Sequence, residues 1–290
     1  MVKIRNLALL YFFIIIKIFS VDLKSNIKTI CISGNLSPCK KEQVAVDIFK
    51  PSKDIEATVL VLNGWNFSRD DWWKKTSILK LAEEKGFLLI FPEMGKTIYE
   101  SEYYPETTLK WNSIPSKKWF DEHFFPEMEK LGYLKKGETH FVMGLSTGGR
   151  GAVILALNYP HLFKGVASFS GDFDQSKMPK DRLMTSVYGN YEIYPERWLG
   201  KDNPQNRLNE WNLPIYLGHG KADKIVPFDQ TKNFYESLKK SKPNLKIIFN
   251  EPANSGHDYI YWESEVKPSF DFFESLIEKK REVKKKYIFF

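Results

Sequence analysis

Cysteine and histidine are scarce: the 290 residues hold two of the first and five of the second. There is no C-x-x-C pair and no histidine cluster, so no metal site is expected and no cofactor is called for. The chain also lacks internal repeats, low-complexity linkers and any shift of composition that would divide it into two domains. Its apolar content is ordinary for a globular protein, which argues against disorder, a collagen-like fibre or a multi-span membrane protein. Basic residues are in excess, with a net charge of +7. That excess lies at the two ends: +3 in residues 1–20 and +5 in the tail 279–286. The body between them is close to neutral and offers no basic face to nucleic acid.

The first twenty residues read differently from the rest. Lys3 and Arg5 precede ten consecutive apolar residues, Leu7 to Ile16. A basic start before a short apolar run is the form of a secretory signal, and the run is short for a bilayer span. A secreted or periplasmic protein is expected, or a membrane-anchored one if the leader is not cleaved. Residues 21–43 then read as an N-terminal extension, in which Cys31 and Cys39 either form a disulfide or remain thiols. Residues 44–278 read as the main globular domain. The basic tail 279–290 reads as a solvated helix end, with weak contact to an acidic membrane surface as its second reading.

Through the body, apolar runs alternate with amphipathic helical patterns. Strands are expected at Val44 to Phe49, Ala57 to Leu62 ("ATVLVL"), "FLLIFP", Phe141 to Met143, "KGVASFSG", "PIYLGHG" and "NLKIIFNE". Helices are expected at "TSILKLAEEKG", around Trp119 to Leu131, from Gly151, at "FDQTKNFYESLKK", and from Lys267 to about Glu282. This alternation is the sequence form of an α/β fold, a mostly parallel sheet covered by helices on both faces. Two aromatic-rich stretches break it, Glu93 to Ser116 and Asp172 to Trp211. Excursions of that length in such a fold serve as pocket walls or lids.

One stretch carries chemistry. In "FVMGLSTGGRGAVILALNYP" a strand ends at Gly144-Leu145-Ser146-Thr147-Gly148 and a helix follows at once. G-x-S-x-G at a strand-to-helix turn lifts the serine hydroxyl out of the sheet edge, and the glycines leave room for the turn. Such a serine needs a base. His140 and His161 read as structural or exposed, His123 as a helix-surface residue, and His219 as support for the acid loop. His257, in the loop "EPANSGHDYIYW" after a strand, falls at the same sheet edge as Ser146. Asp223, in "GHGKADKIVP", supplies the carboxylate, and the order Ser, Asp, His suits an α/β-hydrolase. Asp172, Asp174 and Asp258 are its competitors. The Thr147 N–H at the helix start and the Trp65 N–H after "VLVLNG" are the expected oxyanion donors. Asn63, Trp72, Tyr104, Trp111 and Trp262 are candidate substrate contacts, suited to an apolar acyl group or a stacked sugar ring.

The segment "GLSTGGRGAVILALNYPHLFKGVASFSG", with "GKADKIVP" and "SGHDYIYW", resembles the esterase group of α/β-hydrolases that includes esterase D, secreted feruloyl esterases and mycolyltransferases. The resemblance covers roughly residues 44 to 277. It implies Ser146, Asp223 and His257 as the triad. Asn63 stands where many members of the group have a histidine, and Leu145-Ser146-Thr147 where many have His-Ser-Met. The expected activity is hydrolysis of a carboxylic ester, on a small-molecule or carbohydrate-linked substrate, through an acyl-serine. An acyltransferase on the same fold and a secreted binding protein without catalysis are the alternatives. The oligomeric state is not legible in the sequence.

Overall fold

The computed structural model describes residues 22–33 and 43–277. The leader, Cys39 and the tail beyond Ile277 lie outside the described residues, and so do the readings placed on them. Eight strands form one sheet among the described residues: β1 (Ile27–Ser33), β2 (Gln43–Phe49), β3 (Ala57–Leu62), β4 (Phe87–Pro92), β5 (His140–Leu145), β6 (Gly165–Phe169), β7 (Ile215–Gly218) and β8 (Ile247–Asn250). Their spatial order is β1-β2-β4-β3-β5-β6-β7-β8. β1 and β2 pair antiparallel, as do β2 and β4, and every other neighbouring pair is parallel.

Neighbouring residues of β3 serve opposite faces, as a period of two demands. Leu60 and Leu62 enter one core with Val142 and residues of the helix after Ser146. Val59 and Val61 enter the other, with Phe141, Met143 and residues of the last helix. With both faces covered, β3 is buried along its whole length, hence its unbroken apolar run.

The helices are α1 (Asp71–Lys75), α2 (Ile78–Lys85), α3 (Ser116–Trp119), α4 (Phe125–Lys130), α5 (Thr147–Asn158), α6 (Arg182–Tyr188), α7 (Pro195–Trp198), α8 (Asp229–Ser241) and α9 (Tyr259–Glu274). A π-helical turn, Phe120–Phe124, joins α3 to α4. On one face α5 and α8 contribute Val153, Ala156, Phe234 and Leu238 to the core. On the other α1, α2 and α9 contribute Trp72, Ile78, Phe270 and Phe273. Phe273 stacks on Phe141 of β5 with ring centroids 4.4 Å apart.

Two expectations need correction. Part of the 21–43 extension belongs to the sheet: β1 pairs with β2 from Ile27–Phe49 to Ser33–Gln43. Cys31 lies in that strand and is disulfide-bonded. The last helix starts at Tyr259 rather than Lys267 and ends at Glu274. Asp258 caps it by accepting the Tyr261 N–H at 2.9 Å, and Pro268 sits within the helix instead of opening it.

Sequence neighbours β3 and β4 lie side by side, whereas β5 pairs on the other flank of β3. The chain thus changes direction across the sheet at β3, and ligands bind in the crevice outside the carboxyl ends of the strands at such a point. The ends of β3, β5, β6, β7 and β8 deliver, in order, Asn63–Trp65, Ser146, Ser170, His219–Asp223 and Asn250–His257 to that edge.

Candidate active site

Ser146 sits between β5 and α5 with φ 54° and ψ −128°. A positive φ is costly for a residue with a side chain, and it persists here because the strand and helix on either side are held by packing and hydrogen bonds. The Ser146 N–H donates to Phe169 O at 2.8 Å, and Ser146 O accepts from the Arg150 N–H at 3.1 Å. The other non-glycine residues with positive φ among those described are Asn66, Tyr99 and Ser170. Each adjoins this site: Asn66 follows the β3 loop, Tyr99 donates its hydroxyl to Asn63 O, and Ser170 follows β6.

His257 Nε2 lies 2.9 Å from Ser146 Oγ, and His257 Nδ1 lies 2.7 Å from Asp223 Oδ2. The carboxylate only accepts, so Nδ1 carries a proton and Nε2 is left to take one from the serine. Both side chains are sheltered: Ser146 is 7% exposed as a residue and the His257 side chain 9%. The Asp223 carboxylate is shielded from solvent; its Oδ1 accepts the Ile225 and Val226 N–H groups at 2.9 and 3.0 Å. Burial alone would raise its pKa. Hydrogen bonds from His219 and His257 outweigh that and hold it well below the usual carboxylate range, so it stays ionised.

His219 is fully buried beneath the acid loop. Its Nδ1 meets Thr231 Oγ1 at 2.7 Å, while Nε2 meets Val226 O at 3.1 Å and lies 3.3 Å from Asp223 Oδ2. His140 is buried against Lys135 O at the far end of β5, and His161 is exposed. The competing acids are occupied elsewhere: Asp172 pairs with Arg150, Asp174 accepts the Ser176 N–H, and Asp258 caps α9.

The β3 loop presses against the serine. A Cβ on Gly64 would stand 3.1 Å from Ser146 Cβ, and one on Gly148 would stand 2.5 Å from Asn63 O. At Gly148 backbone atoms leave no room for a Cβ, and at Gly64 the fit against side chains is tight; together they bring the Gly64–Trp65 peptide beside the nucleophile. The next two N–H groups of the loop are spent: Asn66 donates to Gly95 O and Phe67 to Gly64 O. Thr147, as the first residue of α5, has no intrahelical acceptor for its N–H.

Several candidate substrate contacts lie elsewhere. Trp72 is buried between α1 and the sheet and donates its indole N–H to Leu62 O at 3.2 Å. Asn63 is buried and donates to Ser68 O through its side-chain amide. Trp262 is 1% exposed and stands edge-on behind His257 at 5.0 Å, its N–H donating to Ser170 Oγ at 3.2 Å. These three are packing residues because the helix faces and loop ends that carry them turn inward. Trp111 is half-buried edge-on against Trp119, and Tyr104 is half-buried between Tyr188 and Arg197. The sequence reading also missed Arg150, Glu265 and the role of Trp262 behind the histidine. A basic residue in the otherwise apolar first turns of α5 was the one available signal.

Comparison with known proteins agrees with this geometry. A family model described as Putative esterase matches residues 125–273, just over half of the chain. An acetyl esterase from Caldicellulosiruptor saccharolyticus is 25% identical over 282 residues, covering 90% of this chain and 97% of that protein. A diacylglycerol acyltransferase/mycolyltransferase from Mycobacterium leprae is 22% identical, covering 70% of this chain and 68% of its own length. Among solved structures, a fluorophosphonate-binding serine hydrolase from Staphylococcus aureus superposes with a TM-score of 0.67 at 17% identity, covering 86% of this chain and 98% of that one.

Proposed function

The chain belongs to this esterase family and carries a serine-hydrolase triad for ester substrates; on that premise we propose that its substrate bears a bulky apolar or carbohydrate-linked group and is met outside the cytoplasm. The observation that carries the enzymatic reading is the unbroken hydrogen-bonded line from Ser146 Oγ through His257 to Asp223.

In the reaction, Ser146 Oγ attacks the ester carbonyl carbon while its proton passes to His257 Nε2. Asp223 stabilises the imidazolium so formed. The Trp65 and Thr147 N–H groups are assigned to the oxyanion, each worth ~10²–10³ in rate. His257 then protonates the leaving alkoxide as the C–O bond breaks, and the acid remains on Ser146. Water, deprotonated by His257, attacks the acyl-serine and releases the carboxylic acid and the free hydroxyl. The proposed preference for a bulky group is supported by the half-buried Trp65, Tyr104 and Tyr191, which pack on the small core shared by the two excursions and keep part of their surface open, Trp65 in the loop that meets Ser146. Export is supported by the basic and apolar pattern of residues 1–20.

The test joins labelling to turnover. A fluorophosphonate should add once to the protein by intact mass and not at all to Ser146→Ala, which should keep its fold and lose ester cleavage. A series of p-nitrophenyl esters should then show bulky acyl groups cleaved as well as acetate or better. Cleavage of acetate alone would overturn the substrate reading, and full activity in Ser146→Ala would overturn the mechanism.

A further inference from the structure

The two stretches that break the strand–helix alternation fold into one cap. Thr107 Oγ1 donates to Val187 O at 2.7 Å, and the Thr108 and Leu109 N–H groups donate to Ser186 O. Arg197 pairs with Glu106 at 2.7 Å and lies against the rings of Tyr104 and Tyr194. The cap has its own small core, Ile98, Met184, Val187, Tyr188 and Trp198. Trp65, Tyr104 and Tyr191 pack on that core while keeping part of their surface open. Trp65 belongs to the loop that touches Ser146, so it is where cap and nucleophile meet.

Beneath the cap lies Arg150, 0% exposed, one helical turn beyond Ser146. Nη1 donates to Asp172 Oδ2 at 2.9 Å and to Gln175 Oε1 at 3.0 Å. Nη2 donates to the Tyr188 hydroxyl at 3.1 Å and to Asp202 O. The Tyr188 hydroxyl passes its own proton toward Asp202 Oδ2 at 3.2 Å, and that same oxygen accepts the Ser101 N–H at 2.8 Å. One guanidinium thus ties the start and the far end of the second excursion to α5, and through Asp202 it reaches the first excursion as well. A buried charge is tolerated when most of its hydrogen bonds are met, and the planar fork of arginine meets two partners on each terminal nitrogen here, with only Nε left without one.

We infer that Arg150 is a positioning residue for acyl selectivity: it holds the cap wall of Trp65, Tyr104 and Tyr191 in register with Ser146. The triad itself rides on the ends of β5, β7 and β8, none of which runs through the cap. Loosening the Arg150 network therefore leaves nucleophile, base and acid in place and unsettles the wall against which a large acyl group rests. A small acyl group does not need that wall. This inference rests on the ester-hydrolase reading.

Tyr188→Phe removes one hydroxyl from the network at nearly constant volume, and Arg150→Lys keeps the charge but loses the fork. Turnover of p-nitrophenyl acetate and p-nitrophenyl benzoate is measured for each, with fluorophosphonate labelling rates and melting temperatures. For both variants kcat/KM on the benzoate should fall about tenfold, through KM, the size expected for one charge-assisted hydrogen bond. Acetate turnover and labelling should change less than about twofold, since no triad contact is touched. A parallel fall on both esters, or no change on either, overturns the inference. Should the wild-type protein cleave neither ester and resist labelling, the hydrolase reading itself falls, an outcome distinct from an unchanged ratio.

Discussion

Asp223 and Glu265 carry carboxyls shielded from solvent, with opposite responses to pH. For Asp223, burial raises the pKa but the two histidines lower it further, so the folded value lies below the unfolded one. Its contribution to stability is present above the unfolded value of about 4 and is lost only as pH falls through the folded one. Glu265, on α9, accepts from Tyr216 at 2.7 Å and from Asn250 at 2.7 Å, tying the ends of β7 and β8 to the helix behind His257. Desolvation outweighs these bonds and raises its pKa. A raised carboxyl binds its proton more tightly when folded, so its stabilising effect is full below the unfolded value of about 4.3 and fades as pH rises through the folded value. Glu265→Gln removes that titration. Melting temperatures from pH 4 to 7 should show wild type losing stability relative to the variant as pH rises; parallel curves would mean that Glu265 does not titrate there. The partners of Glu265 and Arg150 cannot be read from the sequence, because they lie far along the chain: Tyr216 is 49 residues from Glu265, and Asp202 is 52 from Arg150.

At the scale of elements, the β5–α5 turn and the β3 loop form one unit. The turn was legible because glycine at fixed offsets from serine, between an apolar strand and an apolar helix, has few other physical uses. Its fit against the β3 loop was not, since it depends on how closely two backbones approach. Gly148→Ala tests that fit. Its Cβ would stand 2.5 and 2.6 Å from the carbonyl oxygens of Asn63 and Leu62, backbone atoms that cannot rotate aside. The loop must move, and the Trp65 N–H moves with it. Steady-state kinetics should show kcat falling ~10²-fold, the cost of displacing the oxyanion donor proposed for the Trp65 N–H. Stability should drop by about 1–3 kcal/mol, as overpacking usually costs. A variant that melts lower yet keeps kcat would show the approach to matter for packing alone.

Over the whole molecule, charge and apolar surface are divided among regions with different tasks. The near-neutral body carries the hydrolase, and the excess positive charge belongs to residues 1–20 and 279–286. No described helix is long and apolar enough to cross a membrane. Export would place the enzyme where its leader directs it. The expected observation is intact mass, from protein recovered outside the cytoplasm, that corresponds to a chain beginning near Val21. Full-length protein in the cytoplasmic fraction would refute export, and full-length protein in the membrane fraction would make the leader an anchor. The long excursions read from sequence as pocket walls or lids, and the structure joins them to each other through Thr107, Glu106 and Arg197.

The alternation of strands and helices, the elbow at Ser146, and the order of acid and base loops are all legible in the sequence, since they follow from residue patterns a few positions long. It also implied that Asp223 and His257 share an edge with Ser146, because strand ends in a parallel sheet deliver their loops to one side. Three features emerge from the folded chain alone: Trp72 and Trp262 pack inward, Arg150 joins the cap to the nucleophile helix, and β1 completes the sheet. Those outcomes depend on which distant surfaces meet. A tryptophan or an arginine has the same local pattern whether it faces a substrate or is buried against a partner many residues away.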